Sequence, residues 1–147
     1  MGGNLRDFEN NLKYTQLIDP AAATADVDSA SVDMANYESV AFYVLVGATG
    51  DTLDGSNHIQ LEIETSADDS TFADCADAYI TNAVTGTNTG TFALINAADE
   101  DDAVYMTEYR GNARYVRVVV NVTGTHTNGT PIAVLALRGQ AKNLPVS

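Results

Sequence analysis

The segment from His58 to Glu64 alternates strictly between polar and apolar side chains. Successive side chains of a β-strand point to opposite faces, so this pattern predicts a strand with one face in a core and one in water. The apolar members, Ile59, Leu61 and Ile63, form the expected core face. Any fold proposed for this chain must therefore provide a half-buried β-strand at this position.

Several other segments have the length and composition of strands. Val40 to Val46 is a continuous apolar run, which predicts a strand that is buried on both faces or packed against a partner. Ala113 to Val122 carries valine at alternate positions. The remaining predicted strands are Tyr79–Ala83, Thr91–Ile95, Val104–Tyr109 and Ile132–Arg138.

Turn-forming residues separate these segments. Asn128-Gly129 is the strongest local indication of a hairpin, and Arg110 to Asn112 predicts a tight turn. Short strands at this spacing favour a sandwich over a parallel α/β sheet. The predicted fold class is therefore mainly β, an antiparallel β-sandwich or jelly roll with a short N-terminal helix or extended arm.

The one predicted helix runs from Asn4 to Tyr14, with Asn4 as its cap and Leu5, Phe8 and Leu12 at helical spacing. Two interpretations are open for it. The favoured one is an arm that becomes ordered on a neighbouring molecule, and the other is a helix that covers one end of the sandwich. We assign residues 1–28 to an N-terminal arm or helix with its linker, residues 29–140 to the sandwich, and residues 141–147 to a C-terminal tail.

The charge of the chain is strongly acidic, with a formal net charge of −13. A duplex DNA-binding protein needs a basic surface, so we expect no nucleic-acid partner. No Lys or Arg lies between Tyr14 and Tyr109, and no acid follows Arg110. Either the strand order interleaves these segments and averages the charge, or the surface has an acidic body and a basic stripe suited to charge-matched docking.

Residues suited to catalysis are scarce. The two histidines, His58 and His126, are expected to be exposed and structural, and Cys75 to be a small buried or half-buried side chain. Transition-metal sites need clusters of His or Cys, and no His lies near Cys75 in the sequence. We therefore predict that the protein is not an enzyme and carries no cofactor and no metal.

Two acidic loops are the candidates for a calcium site. They are Asp51 to Asn57, and Asp99 to Asp102 with Asn96 nearby. Calcium takes six to eight oxygen ligands, and neither loop has the spacing of an EF-hand. A solvated acidic turn is the favoured interpretation of both.

The sequence contains no run of about 18 apolar residues, so no membrane-spanning segment is predicted. The N-terminal stretch carries Arg6, Asp7 and Glu9 and lacks the apolar region of a secretory signal peptide. We therefore expect synthesis in the cytoplasm and no contact with a membrane.

Two segments resemble parts of known β-sandwich modules. Ser66 to Asp74 resembles a hairpin turn common in discoidin-like modules, and Arg114 to Val118 resembles a strand that follows it. Asp69 stands where that turn usually has Gly, which puts the turn type in question because Gly adopts a positive φ more easily.

The order of short motifs is similar to a family of decoration (cement) proteins encoded among tailed-phage head genes. The matching pieces are Leu5-Arg6-Asp7, Asn10 to Lys13, Tyr37 to Val40, Asp69 to Phe72 and Arg114 to Val118. The resemblance implies a virion protein made in the host cytoplasm, located on the capsid exterior, that binds the major capsid protein and forms a homo-oligomer, expected to be a trimer.

Two sets of residues are the candidates for these contacts. The proposed capsid-docking arm is Leu5, Arg6, Phe8, Leu12, Lys13 and Tyr14. The candidates for an oligomer interface or charge-matched docking are Phe42, Tyr43, Arg110, Arg114 and Arg117. An alternative function is a glycan-binding module of a phage tail or surface fibre, with calcium in the Asp51 or Asp99 loop.

Overall fold

A computed structural model of the chain describes residues 6–146. The described part contains a short helix, ten strands and a single turn of 3₁₀ helix at Asp77–Tyr79. The elements are α1 (Phe8–Asn11), β1 (Lys13–Ala23), β2 (Val27–Asp28), β3 (Val32–Asp33), β4 (Tyr37–Val46), β5 (His58–Ser66), β6 (Ala73–Asp74), β7 (Thr91–Ile95), β8 (Ala103–Tyr109), β9 (Tyr115–Thr123) and β10 (Thr130–Ala141).

The strands form two antiparallel sheets. The first sheet has the order β1-β10-β4-β8. The second has the order β2-β9-β5-β6, with β3 also pairing with β9 and β7 also pairing with β5. The two sheets pack face to face, so the predicted mainly β, antiparallel sandwich with a short helix near the N-terminus is confirmed.

The core is supplied by alternate positions of both sheets. In β4, Val40, Phe42, Val44 and Val46 point inward and are nearly or fully inaccessible to solvent. The predicted core face of β5 is confirmed, because its three apolar members are fully buried. The residues that meet them from β9 and β10 are Val116, Val118, Val120, Ile132, Val134 and Ala136.

The predicted hairpin at Asn128-Gly129 is wrong. The strands on either side of it, β9 and β10, belong to different sheets, so this connection crosses from one sheet to the other. Gly129 does adopt a left-handed backbone with φ +78°, as a turn residue should. Its N–H, however, is bound by the carboxylate of Asp51 at 2.7 Å rather than by a neighbouring strand of a hairpin.

The N-terminal region also differs from the prediction. The helix spans only Phe8–Asn11, and Asp7 caps it by accepting a hydrogen bond from the backbone N–H of Asn10. The predicted cap, Asn4, lies outside the described residues. Where an arm and linker were expected, β1 begins at Lys13 and pairs with β10 from Lys13 to Ala23.

Two smaller predictions also change. Tyr79–Ala83 is not a strand, because it begins in the 3₁₀ turn and contributes only an isolated bridge from Ile80 to Tyr109. The C-terminal tail lies against the sandwich as far as Val146, whose N–H donates to the carbonyl of Asn10 at 3.1 Å. The tail and α1 therefore support each other at one end of the first sheet.

Candidate interaction surface

The outer surface of the first sheet is mainly apolar across β10, β4 and β8, whereas the edge strand β1 adds Gln16, which lies opposite Leu135 and donates a hydrogen bond to the carboxylate of Asp19. The central strands of this sheet, β4 and β10, alternate, so the residues between the core positions point outward. Tyr43 lies opposite Leu135 on one side and Met106 on the other, and Leu45 lies opposite Val104. We call this surface the apolar face and define it as Tyr14, Ala41, Tyr43, Leu45, Val104, Met106, Ala133, Leu135 and Leu137.

The apolar face is open to solvent at several points. Val104 is 64% exposed, Leu45 is 48% exposed and Tyr14 is 52% exposed. Glu108 is the one charged side chain among the outward-pointing residues of 41–45, 104–108 and 133–137, and it lies next to the end of the apolar face. Its carboxylate pairs with Arg110 at 3.1 Å. A contiguous apolar surface of this kind is typical of a protein–protein contact.

Both edges of the first sheet are protected. The edge strand β1 contains Pro20 and two register irregularities against β10. At the opposite edge, Asn82 donates its side-chain amide to the carbonyl of Met106 at 2.8 Å, and the Thr81 hydroxyl accepts the N–H of Glu108 at 2.8 Å. Proline, irregular pairing and coverage by a loop all prevent another chain from adding a strand. The face of this sheet is therefore more accessible to a partner than its edges.

The helix α1 lies over one corner of the apolar face. Phe8 is 52% exposed, whereas Leu12 is partly buried next to Gly139. A groove of about 510 Å³ lies between this helix and the sheet, and Tyr43 and Leu137 line its floor. Its rim carries the charged groups of Glu38, Glu108 and Arg110.

The predicted docking arm is thus divided by the structure. Leu5 lies outside the described residues, and Arg6 directly precedes the capping residue of α1. Phe8 and Leu12 stand beside the groove, while Lys13 and Tyr14 belong to β1. Among the described members of the arm, Phe8, Leu12 and Tyr14 are therefore brought together with the apolar face.

The predicted oligomer-interface residues do not form one surface. Phe42 is 0% exposed, so its assignment to an interface is wrong and it is a core residue. The sequence of β4 could not show this, because the inward-pointing and the outward-pointing residues of its apolar run are both apolar. The neighbouring Tyr43 does point outward and lies on the apolar face.

The three arginines of that prediction are engaged separately. Arg114 makes a two-pronged contact with the carboxylate of Asp33, at 3.2 and 3.1 Å, and this guanidinium lowers the pKa of Asp33. Arg117 bridges Glu64 at 2.6 Å and Asp28 at 3.0 Å. Basic residues from the end of the chain therefore meet acids from its first half, so the interleaved interpretation of the charge pattern is right for these two residues.

The outer surface of the second sheet is polar and contains a buried carboxylate. Glu62 is only 3% exposed and accepts a hydrogen bond from the side-chain amide of Asn121. Burial, together with the nearby carboxylate of Asp74, raises the pKa of Glu62 to about 7. The alternating pattern of β5 predicted a water-exposed residue here, and no local feature of the sequence indicated its burial.

The acidic loops are occupied by backbone contacts. The Asp51 carboxylate accepts N–H groups from Thr127, Asn128 and Gly129, which ties two connections together and lowers its pKa. In the second loop, one oxygen of Glu100 accepts the N–H groups of Asn96 and Ala97 at 2.7 and 3.0 Å. These carboxylates stabilise the loops by accepting hydrogen bonds from the backbone, whereas the sequence predicted solvated acidic turns.

The histidines and the cysteine differ in how they match the predictions. His126 was expected to be exposed, but it is 5% exposed, and its Nε2 lies 2.9 Å from the carbonyl oxygen of Thr123. His58 is half-buried at the start of β5. Cys75 is buried, as predicted, and burial raises the pKa of its thiol to about 11.

The turn that resembles discoidin-like modules keeps a left-handed residue. Asp69 has φ +61°, a left-handed conformation that Gly adopts more easily than other residues. Asp68 holds the turn by accepting the N–H groups of Ser70 and Thr71 at 3.0 and 2.8 Å, and these bonds hold its pKa well below the usual range. Asp69 therefore adopts the positive φ of this turn without being Gly.

Comparison with known proteins gives little further information. No protein-family model matches the chain, and no curated protein matches it. A solved structure of the infectious bursal disease virus, Gt strain, has 14% identity and a TM-score of 0.21, with coverage of 92% of this chain and 35% of that chain. The chain thus spans about a third of the length of that neighbour.

Within residues 6–146 no helix is long and apolar enough to cross a membrane. The same residues contain no group of three or more His, Cys, Asp or Glu side chains placed to hold a metal ion.

Proposed function

We propose that this chain is a non-enzymatic structural protein of a virus particle, which decorates the exterior of the capsid and stabilises it by binding the major capsid protein as a homo-oligomer. The capsid assignment comes from the order of motifs shared with phage decoration proteins. The structural observation that supports it best is the groove beside α1, where a half-exposed phenylalanine stands next to an open apolar face.

The groove suits an extended, mainly apolar segment of a partner. Its floor is supplied by Tyr43 and Leu137, and Phe8 stands at its side. Burying the exposed half of one phenylalanine contributes about 1 kcal/mol, which is a weak contact for a single copy. Many copies on one shell, each linked to its neighbours, convert weak contacts into firm attachment.

The charged groups of the sandwich support a structural role. Arg114 and Arg117 hold separate strands together through acids, and Asp51 braces two loops. Each of these side chains has a contact that contributes to the fold itself. The glycan-binding alternative relied on calcium in the Asp51 or Asp99 loop, and no observation of the structure favours it.

The proposal is tested by co-sedimentation of the full chain with shells assembled from the major capsid protein encoded in the same genome. The chain should sediment with the shells and saturate at a fixed ratio. Phe8→Asp places a charge at the groove, so it should weaken binding by about ten-fold or more. Thr125→Asp, an exposed position on a distant loop, is the matched control and should bind as the wild type does. Failure of the wild-type chain to sediment with shells overturns the proposal.

A further inference from the structure

A pocket of about 280 Å³ opens at the end of the sandwich where β4 begins and β10 ends. We call it the polar pocket, and its lining includes Asp33, Ala35, Asn36, Tyr37, Arg138 and Asn143. We propose that the polar pocket binds a carboxylate group, carried by a free small acid or by an acidic side chain of a partner. None of its described lining residues belongs to the groove beside α1, so the inference goes beyond the proposed function.

The guanidinium of Arg138 is held in the pocket by neutral groups. Its Nη1 donates to the carbonyl oxygen of Asp33 at 2.9 Å, and its Nη2 donates to the hydroxyl of Thr15 at 3.3 Å. The ring of Tyr37 lies 4.6 Å from its central carbon, a cation–π contact that fixes the plane of the group. Its Nε is buried and has no hydrogen-bond partner among the described residues. Because a guanidinium carries more N–H donors than these two bonds use, donors remain for a ligand.

A second cation stands beside the same pocket. The Nζ of Lys142 donates to the carbonyl oxygen of Ala35 at 2.8 Å, and its backbone N–H donates to the carbonyl oxygen of Asn36 at 3.0 Å. Within residues 6–146, neither Arg138 nor Lys142 forms an ion pair with a carboxylate, although the chain has 20 acids and 7 bases. Two cations that contact only neutral oxygens make this end of an acidic chain locally attractive to an anion.

The carboxylate in the pocket lining is already neutralised. Asp33 accepts two hydrogen bonds from the guanidinium of Arg114, at 3.2 and 3.1 Å, and one from the N–H of Ala35 at 2.9 Å. The contact with Arg114 lowers the pKa of Asp33, so this carboxylate stays ionised and keeps its partner. The charge that is left to attract a ligand is therefore that of Arg138 and Lys142.

The burial of these two cations favours a ligand with a single negative charge. Lys142 is exposed, so water screens its charge, whereas Arg138 is half-buried. The cost of removing an ion from water grows with the square of its charge, but the attraction to a cation grows only in proportion to that charge. One half-buried cation therefore suits a carboxylate better than a phosphate dianion.

The size and the other polar groups of the pocket fit a small ligand. Its volume lies at the lower end of the range for ligand pockets, which begins at about 300 Å³. Asn36 and Asn143 line it, and an asparagine side chain can donate to a carboxylate oxygen. The pocket therefore has room for a small acid or for one acidic side chain.

The test is titration of the full chain, labelled with ¹⁵N, with sodium acetate, and sodium chloride at equal ionic strength serves as the reference. Acetate should shift the backbone amide signals of Asn36, Tyr37 and Lys142 in NMR spectra and saturate with a dissociation constant of about 10 mM. Sodium phosphate at equal ionic strength should bind more weakly. Tighter binding of phosphate would overturn the assignment of the ligand as a carboxylate.

Variants of the charged residues show whether acetate binds in the polar pocket. Arg138→Gln should weaken acetate binding by at least about ten-fold. Lys142→Gln, at an exposed position that should leave the circular dichroism spectrum unchanged, should weaken it by about two-fold to five-fold. Asp33→Asn removes the carboxylate of the lining, so it should strengthen binding, a change that a purely structural role would not produce. Arg110→Gln removes a positive charge away from the pocket and should bind acetate as the wild type does.

Two results of the titration overturn the inference. The first is an acetate titration that causes no shifts beyond those caused by sodium chloride. The second is a set of shifts that Lys142→Gln and Arg138→Gln both leave unchanged.

Shell binding separates the two sources of the carboxylate, and this part of the test alone rests on the proposed function. If the carboxylate is an acidic side chain of the major capsid protein, about 100 mM acetate should release the chain from shells more than sodium chloride at equal ionic strength does. Equal release by both salts assigns the pocket to a free small acid. A chain that binds acetate but does not sediment with shells keeps this inference and overturns the capsid assignment.

Discussion

The carboxylate of Glu62 on β5 accepts a hydrogen bond from the side-chain amide of Asn121 on β9, and Glu62 is only 3% exposed. Burial and the adjacent carboxylate of Asp74 raise its pKa to about 7, above its usual value of 4.5. The second sheet therefore holds a carboxyl group that is largely protonated under mildly acidic conditions.

This arrangement predicts that stability falls as the pH rises. A pKa raised by folding means that the folded state binds the proton more tightly than the unfolded state. The contribution of Glu62 is therefore fully present below pH 4.5 and is lost as the pH rises through about 7. The loss should be about 2 to 3 kcal/mol in the free energy of unfolding, measured by urea denaturation at pH 4.5 and pH 8.

Glu62→Gln isolates this effect, because glutamine stays neutral and can still accept from Asn121. The variant should be more stable than the wild type at pH 8 and should lose most of the dependence on pH. Glu38→Gln, a change at an exposed carboxylate, should keep the wild-type dependence. If the free energy of unfolding of Glu62→Gln depended on pH as that of the wild type does, Glu62 would not titrate between pH 4.5 and pH 8.

Adjacent residues of β4 should respond very differently to truncation. Phe42 is fully buried, so Phe42→Ala should lower the free energy of unfolding by about 3 to 5 kcal/mol. Leu45, on the apolar face, is 48% exposed, and Leu45→Ala should cost less than about 1 kcal/mol in a dilute, monomeric sample. Urea denaturation at low protein concentration measures both, and equal losses would contradict the assigned orientation of β4.

These two residues show what the sequence could and could not predict about the surface. The apolar run of β4 correctly indicated a strand, but the strand is not buried on both faces, since Leu45 is 48% exposed, and its packing against a partner stays a prediction. The run could not indicate which alternate residues face the core, because both sets of alternate residues are apolar and a shift by one residue exchanges them. Phe42 was therefore placed on the wrong face, whereas Tyr43 does point outward and its place in an interface stays a prediction.

The fold was predictable wherever the alternation or the apolar content was strong, as in β5, β7 and β9. It was not predictable in β1, because this edge strand contains Pro20 and an alanine run and has little apolar periodicity. The Asn128-Gly129 turn was recognised, but local turn chemistry cannot say whether the next strand stays in the same sheet. The environment of Glu62 includes Asp74 and Asn121, and Asn121 is 59 residues away in the sequence, so the local pattern of β5 does not reveal it.

Arg117 should contribute more to stability than Arg110. The Arg117 guanidinium pairs with Glu64 and stacks 4.1 Å above the ring of Phe72, and its side chain is 19% exposed. Arg117→Ala leaves Glu64 unpaired in a partly buried position and should cost about 1 to 3 kcal/mol. Arg110→Ala removes a solvent-exposed pair with Glu108 and should cost less than about 0.5 kcal/mol. Thermal or urea unfolding distinguishes the two, and a larger loss for Arg110→Ala would contradict the account.

Calcium should have little effect on the protein. The carboxylates of Asp51 and Glu100 are already bound by backbone N–H groups, so calcium would have to replace these contacts. The melting temperature should change by less than about 1 °C between excess calcium and excess chelator, because a ligand stabilises only the state that binds it. A rise of several degrees with calcium, lost in Asp51→Asn, would favour the glycan-binding alternative over capsid decoration.

The measurement that tests the central claim most directly is electron cryomicroscopy of shells assembled from the major capsid protein of the same genome, with and without the full chain. The account predicts additional density on the shell exterior at regular positions, with the size of this β-sandwich and with α1 facing the shell. Shells that show no added density at saturating concentrations of the folded chain would contradict the proposal that it is a capsid decoration protein.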